Sequence, residues 1–101
     1  MDKHHYVEKA EICKVLSDSN RLQIIEMLSC GEMCVCKILE KLDITQPTLS
    51  HHLKVLADSG IVTSRKEANW VHYQLQDEKL KEIHTFLHFI LNSSKSGIGE
   101  P

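Results

Sequence analysis

The stretch that most constrains the fold runs from Cys34 to Leu56, where two helical patterns are separated by a short break. In the first pattern, Cys34, Ile38 and Leu42 form one apolar stripe at helical spacing. Residues 43–47 interrupt it, and leucines at positions 49, 53 and 56 then recur on one face of a second helix. Two short helices joined by a tight turn predict a helix-turn-helix.

The second helix of this motif should begin near Pro47, because a first helical turn has no hydrogen bond for the missing N–H of proline to break. Thr45 or Gln46 would occupy the cap, and of these two only Thr45 is a strong capping type. Small hydrogen-bonding side chains on an exposed second helix indicate DNA reading. The polar side chains predicted to face largely outward are Thr48, Ser50, His51, His52 and Lys54.

The segments around the motif predict a winged helix-turn-helix, mainly α with one β-hairpin. Residues 2–17 and 21–29 have helical patterns, the second with Leu22, Ile25 and Leu28 as its core stripe. Residues 61–75 change to an alternating pattern rich in β-branched and aromatic residues, which predicts a hairpin with residues 67–70 between its strands. A hairpin directly after a recognition helix is the wing of a winged-helix domain.

A last helix is predicted from Asp77 to about Asn92, and its apolar stripe is unusually long. We expect a partner to cover this stripe, because one small domain should not leave so much apolar surface exposed. The stripe comprises Leu80, Ile83, Phe86, Leu87, Phe89, Ile90 and Leu91.

Length and composition fit one small domain, predicted as residues 1–92, followed by a disordered tail at 93–101. No apolar run approaches the roughly 18 residues of a membrane span. The N-terminus has no apolar segment typical of a secretory signal, so we expect a cytoplasmic protein. In a reducing compartment the four cysteines, at positions 13, 30, 34 and 36, indicate metal binding or redox chemistry rather than structural disulfides.

The chain resembles the ArsR/SmtB family of dimeric winged-helix repressors that sense metals and metalloids. The resemblance covers about residues 12–91 and is carried by KVLSDSNRLQIIEMLSCGEMCVCKIL and TQPTLSHHLKVLADSGIVTSRKEANWVHYQL. It implies a regulator rather than an enzyme, with a homodimer formed through the helices near 2–17 and 77–92. It also implies that double-stranded operator DNA is bound without inducer and released when the inducer binds.

The resemblance further implies that Cys34 and Cys36 are the thiolate pair that senses the inducer. Thiolates select thiophilic ions, and we expect As(III) or Sb(III), with Cd(II), Pb(II) or Zn(II) as alternatives. On a regular helix, residues two apart point roughly 200° away from each other. One ion can therefore bind both thiols only if the helix begins after Cys34 or if its first turn is distorted. The alternative is that both are small core residues.

The third ligand of such a site stays open in the sequence. Arsenic-sensing relatives often carry another cysteine three residues after the second, and that position is Leu39 here. Cys30 lies in a turn near the pair and is the candidate we retain, whereas Cys13 lies in a helical stripe that favours core packing. A histidine of the partner subunit's N-terminus, at position 4 or 5, or an exogenous ligand is also compatible.

A second metal site of the family, on the last helix, is not predicted. The pattern of that site begins with an Asp followed two positions later by a His. Here the residue two positions after Asp77 is Lys79. His84 and His88 share one helix face and are interpreted as interface or surface residues.

Candidates for DNA contact follow from position and from the resemblance. The net charge of −2 argues mildly against DNA binding, but basic residues can concentrate on one face, and a dimer presents that face twice. The alternative is a solvated helix face. Base or phosphate contacts are expected from Gln46, Thr48, Ser50, His51 and His52, and phosphate contacts from Lys54, Arg65 and Lys66.

Three rival functions remain at this point. A thiol redox sensor would oxidise Cys34, Cys36 or Cys30 to a disulfide. A small thiol oxidoreductase is disfavoured by the lack of a Cys-x-x-Cys pattern. The third is a winged helix used purely for protein interaction, in which operator binding should be absent. A winged-helix DNA-binding protein without metal sensing is also an alternative.

Overall fold

The computed structural model describes residues 3–95. Over this range the chain forms a helical domain with a small antiparallel sheet. The elements are α1 (Lys3–Val15), α2 (Ser19–Leu28), β1 (Met33–Cys34), α3 (Val35–Lys41), α4 (Gln46–Asp58), β2 (Val62–Glu67), β3 (Trp70–Leu75) and α5 (Glu78–Lys95). The predicted helix-turn-helix corresponds to α3 and α4, and the wing to β2 and β3.

Capping side chains fix where the helices begin. Thr45 caps α4, and its side chain accepts a hydrogen bond from the backbone N–H of Thr48, as its residue type predicted. Asp18 caps α2 by accepting from the N–H groups of Asn20 and Arg21, at 2.8 and 3.2 Å. The bond from Arg21 is the main reason why the pKa of Asp18 is lowered. Because Asp18 is the cap, α2 begins at Ser19, two residues before the predicted start at position 21.

The sheet has the order β1-β3-β2. The hairpin is confirmed, with Glu67 opposite Trp70 and a two-residue turn in which Ala68 has a φ of 56°. Strand β1 was not predicted, because a pair of residues is too short to show an alternating pattern. It places Cys34 opposite His72 and Met33 opposite Tyr73.

The core lies between α2, α3, α4 and the sheet. The three inward leucines of α4 are buried as predicted, with Leu49, Leu53 and Leu56 at 0–1% exposure. The predicted stripe of α2 needs correction: Leu22 is 51% exposed, and Ile24 is fully buried instead. A 3.6-residue period fixes the spacing of an apolar face but does not say which of two neighbouring apolar residues faces inward. The other buried apolar residues of this cluster are Leu28, Ile38, Leu42, Ile61 and Val62.

Helices α1 and α5 pack against each other beside this core. Helix α5 continues to Lys95, three residues beyond the predicted end of the domain at position 92, and the rest of the predicted tail lies outside the described residues. Among residues 3–95, no helix is long and apolar enough to cross a bilayer. Much of the apolar stripe of α5 is exposed, including Leu87, Phe89, Ile90 and Leu91 at 46–63%.

Candidate functional site

The two cysteines of the Cys-Val-Cys segment come together at the start of α3. Helix α3 begins at Val35, and Cys34 precedes it with extended backbone angles, φ −69° and ψ 144°. This is the first of the two geometries that the sequence left open, in which the helix begins after Cys34. The two Sγ atoms lie 2.7 Å apart, and both thiols are free. Cys34 is therefore a strand residue and a helix cap, and not the first residue of a helical stripe as predicted.

The environment of the pair favours a thiolate on Cys34. A hydrogen bond from Cys36 is the main cause of its lowered pKa, with further contributions from the backbone N–H groups of Cys36 and Lys37 and from the Lys37 ammonium. The N–H of Cys36 donates to Cys34 Sγ at 3.4 Å, as a helix N-terminus does to an anion. The same interaction raises the pKa of Cys36, which keeps the shared proton. Thiolates are the form of cysteine that binds thiophilic ions.

A cluster of charged side chains connects this segment to the wing. Arg65 donates two hydrogen bonds to the carboxylate of Glu32, from Nη2 at 2.7 Å and from Nε at 2.9 Å, and a third to Glu67 at 2.9 Å. The pairing lowers the pKa of Glu32 and raises the pKa of Arg65. Nε2 of His72 lies 3.9 Å from a carboxylate oxygen of Glu67. Glu32 and His72 were not predicted from the sequence. Strand β1, which follows Glu32 and pairs with the strand that carries His72, has no sequence pattern of its own.

The other cysteines do not join the pair. Cys13 is exposed on α1, so the prediction that it packs in the core is wrong, and Cys30 is exposed in the turn after α2. Among the residues that the structure describes, no three His, Cys, Asp or Glu side chains are close enough together to hold a metal ion. The assignment of Cys30 as third ligand therefore stays a prediction. His84 and His88, both exposed, stack on α5 with ring centroids 6.2 Å apart.

The outward face of α4 presents most of the predicted DNA contacts. Lys54 pairs with Asp58 at 3.2 Å on the exposed side of the helix, and Lys66 is exposed on β2. Arg65 is half-exposed but already held by two carboxylates. The exposed members of the polar face of α4 are Gln46, Thr48, Ser50 and His51.

His52 does not face outward, and this prediction is wrong. Its side chain is buried at 6% exposure between α4 and α2. Arg21 donates to its Nδ1 at 3.1 Å, and Asp18 lies 3.9 Å from its Nε2. Arg21 also donates from Nε to the carbonyl oxygen of Val15 at 2.7 Å. His52 therefore ties the recognition helix to α2.

A winged helix-turn-helix with an exposed recognition helix defines a DNA-binding transcriptional regulator. The sequence profile of the bacterial regulatory proteins of the arsR family matches residues 18–64. The arsenical resistance operon repressor of Staphylococcus xylosus is 50% identical over 92 residues, covering 91% of this chain and 88% of that protein. The protein of the same name from Staphylococcus aureus is 48% identical over 90 residues, covering 89% and 86%.

A solved structure gives the same fold. The crystal structure of an ArsR family transcriptional regulator matches with a TM-score of 0.80 at 21% identity, covering 88% of this chain and 92% of that one. The chain belongs to the ArsR family of winged-helix regulators. It is an ArsR-type transcriptional repressor and not an enzyme.

Proposed function

We propose that this repressor binds operator DNA as a homodimer and releases it when As(III) or Sb(III) binds Cys34 and Cys36. Cd(II), Pb(II) and Zn(II) are the alternative inducers. The observation that carries the proposal is the convergence of the two Sγ atoms, 2.7 Å apart, at the start of the first helix of the DNA-binding motif. Support for the arsenical inducer comes from relatives named arsenical resistance operon repressors.

The pair suits a thiophilic ion because its two sulfurs already lie close together and the pKa of Cys34 is lowered. The two sulfurs point to one place, and the lowered pKa of Cys34 reduces the number of protons that binding must displace. Cys30 stays the sequence-based candidate for a third thiolate, and an exogenous ligand is the alternative.

The proposed release of DNA follows from the spacing of the two sulfurs that ion binding requires at the start of α3. Two sulfurs on one tetrahedral ion such as Zn(II), each about 2.3 Å from it, lie roughly 3.8 Å apart. The sulfurs must therefore separate beyond their 2.7 Å spacing, and we propose that the first turn of α3 moves with them. Because Ile38 and Leu42 of α3 share the core with Leu49 of α4, this movement reaches the recognition helix. An ion that binds the displaced arrangement more tightly lowers the affinity of the repressor for DNA. By linkage, DNA lowers the affinity of the repressor for the ion by the same factor.

The polar face of α4 is the proposed reading surface. Its exposed hydrogen-bonding side chains are Gln46, Thr48, Ser50 and His51, and phosphate contacts are assigned to Lys54, Lys66 and Arg65. His52 is left out because it is buried.

The proposed dimer is formed through α1 and α5. Leu87, Phe89, Ile90 and Leu91 on α5 are exposed together with Tyr6 on α1, at 46–63%. A groove of about 500 Å³ runs between the two helices, with Phe86 and Phe89 in its lining. An exposed apolar surface of this kind marks an interaction site, and dimerisation is general in the family.

The first experiment is a titration of the reduced protein with As(III), Cd(II) and Zn(II), in which ion binding and free thiols are counted together. The proposal expects one ion per chain with the loss of two or three thiols, and in parallel the release of an operator duplex selected from random sequences. An unchanged thiol count with every ion would overturn it.

A thiol redox sensor is the second candidate, and the same short distance favours it. Peroxide takes two electrons from the pair, which forms one disulfide, and the two thiol protons leave in water. Release of DNA by mild peroxide in metal-free buffer, with the loss of two thiols, would distinguish this function from ion sensing.

A further inference from the structure

We infer that His72 is a third protein ligand for a divalent ion, Zn(II) or Cd(II), bound by Cys34 and Cys36. The inference rests on the proposed function, because it takes the two cysteines as ligands. It names the residue that turns the thiol pair into a site with two sulfurs and one nitrogen.

The register of the sheet carries the inference. His72 lies directly opposite Cys34 in the antiparallel pairing of β1 with β3. Residues paired in this way project from the same face of the sheet, with Cβ atoms about 4.5–5.5 Å apart. An imidazole on one side of that gap and a sulfur on the other can meet at one ion, since zinc lies about 2.0–2.1 Å from nitrogen and 2.3 Å from sulfur.

The thiol pair begins at the residue that lies opposite His72. Cys34 has strand geometry, so it projects as a strand residue does, and Cys36 Sγ meets Cys34 Sγ at 2.7 Å. His72 now lies beside Glu67, with Nε2 3.9 Å from the carboxylate, and its side chain is 24% exposed. In this structure the three side chains do not form a metal-binding group. Ligation therefore requires the half-buried imidazole of His72 to rotate away from Glu67 and toward the two thiols.

Other groups near the pair are less suited. The carboxylate of Glu32 is held by two hydrogen bonds from Arg65. Cys30 is exposed at the far end of a turn that passes through Gly31, whose φ is 135°. Cys30 offers no comparable register with the pair, whereas His72 is fixed opposite Cys34 by the backbone.

The ligand set determines which ions would use it. Imidazole suits zinc and similar divalent metals, whereas As(III) takes soft thiolates. His72 therefore contributes to the binding of Zn(II) and Cd(II) and not to that of As(III). An ion held by all three residues would also join the start of α3 to strand β3 of the wing.

The test compares three variants with the wild type by competitive Cd(II) titration against a chelator, following thiolate-to-cadmium absorbance. His72→Ala should lower Cd(II) affinity by about tenfold or more, since even the loss of a supporting group costs a metal site roughly 10- to 100-fold. As(III) should still remove the same number of thiols from this variant. His84→Ala, which removes an exposed histidine on α5, is the control and should leave Cd(II) affinity unchanged. Cys30→Ser removes the rival third ligand and should lower the affinity less than His72→Ala does.

The outcomes separate the inference from the proposed function. Wild-type Cd(II) affinity in His72→Ala, or a loss of affinity in Cys30→Ser instead, overturns the role of His72 and leaves the sensing pair intact. Cys34→Ser tests the pair itself, and undiminished ion binding by that variant overturns both. Unchanged far-UV circular dichroism would show that His72→Ala is folded.

Discussion

Arg65 of the wing donates two hydrogen bonds to the carboxylate of Glu32, at 2.7 and 2.9 Å. Glu32 lies just before the Cys-Val-Cys segment. The pair joins residues 33 positions apart in the sequence. The pair thus connects Arg65, a candidate for DNA contact, to Glu32, which lies two positions before Cys34. The guanidinium can bind a phosphate fully only by exchanging this partner.

Releasing Arg65 should strengthen its contact with DNA. Glu32→Gln removes the charge that holds the guanidinium, so we expect tighter operator binding and a dependence of log affinity on log salt that is steeper by about one. Fluorescence anisotropy with an operator duplex over a range of salt measures both. Glu40→Gln, which removes an exposed carboxylate 3.9 Å from Lys37 on α3, is the control and should leave the slope unchanged. An unaltered slope in Glu32→Gln would show that Arg65 does not contact phosphate.

Replacing the Cys34 thiol should abolish the release of DNA by As(III) without weakening DNA binding. Cys34→Ser keeps the fold of the reading surface but removes one of the two proposed thiol ligands, so the operator should be bound normally and no longer released by As(III). An electrophoretic mobility assay with and without As(III) measures this. Cys13→Ser removes an exposed thiol on α1 and should respond like the wild type. A normal response in Cys34→Ser would place the sensing site elsewhere.

The pH dependence of Cys34 should report its hydrogen bond from Cys36. A lowered pKa means that the thiolate persists at pH values where an ordinary cysteine is protonated, so alkylation of Cys34 stays fast as the pH falls. In Cys36→Ala the main cause of the shift is gone, and the midpoint should move upward. Peptide mass spectrometry after timed alkylation gives the rate at each pH. The same midpoint in both proteins would contradict the assigned donor, and Cys13→Ala serves as the control.

A charge on the exposed face of α5 should disrupt the dimer. Leu87 is 51% exposed in the single chain, and burying a carboxylate there is unfavourable. We expect Leu87→Glu to raise the dimer dissociation constant on the order of 30-fold or more, the roughly 2 kcal/mol of an interface hot spot. Sedimentation velocity over a concentration series measures it. Gln23→Glu adds the same charge to an exposed site on α2 as the control, and equal dissociation constants would exclude this face.

The buried histidine should matter for stability more than its exposed neighbour. His52→Ala leaves the Arg21 guanidinium without its 3.1 Å partner and opens a gap between α2 and α4, so about 1–3 kcal/mol of unfolding free energy should be lost. His51→Ala, on the exposed face, should change it by no more than about 0.5 kcal/mol. Urea unfolding at one fixed protein concentration compares them, because dimerisation makes stability depend on concentration. Equal losses would mean that the Arg21–His52 contact contributes little.

Local patterns were sufficient for the helices and the hairpin but not for the two-residue strand β1. Thr45 and Pro47 marked the start of the recognition helix, and Leu49, Leu53 and Leu56 marked its buried face, because caps and periods act within a few residues. The alternating run before Leu75 gave the wing. Cys34 and Cys36 could be named as a pair because their spacing and segment resemble those of a known family.

Residues brought together across the fold could not be found in this way. His52 has the same polar character as His51, and only the packing of α4 on α2 decided that it is buried and bonded to Arg21. His72 lies opposite Cys34 in the sheet because β1 pairs with the edge of the hairpin, and Arg65 is hydrogen-bonded to Glu32. The sequence thus determined the helix-turn-helix, the wing and the thiol pair, since these depend on short-range interactions. The surroundings of the pair were decided by the tertiary structure, because strand pairing and interhelical contact join residues far apart in the chain.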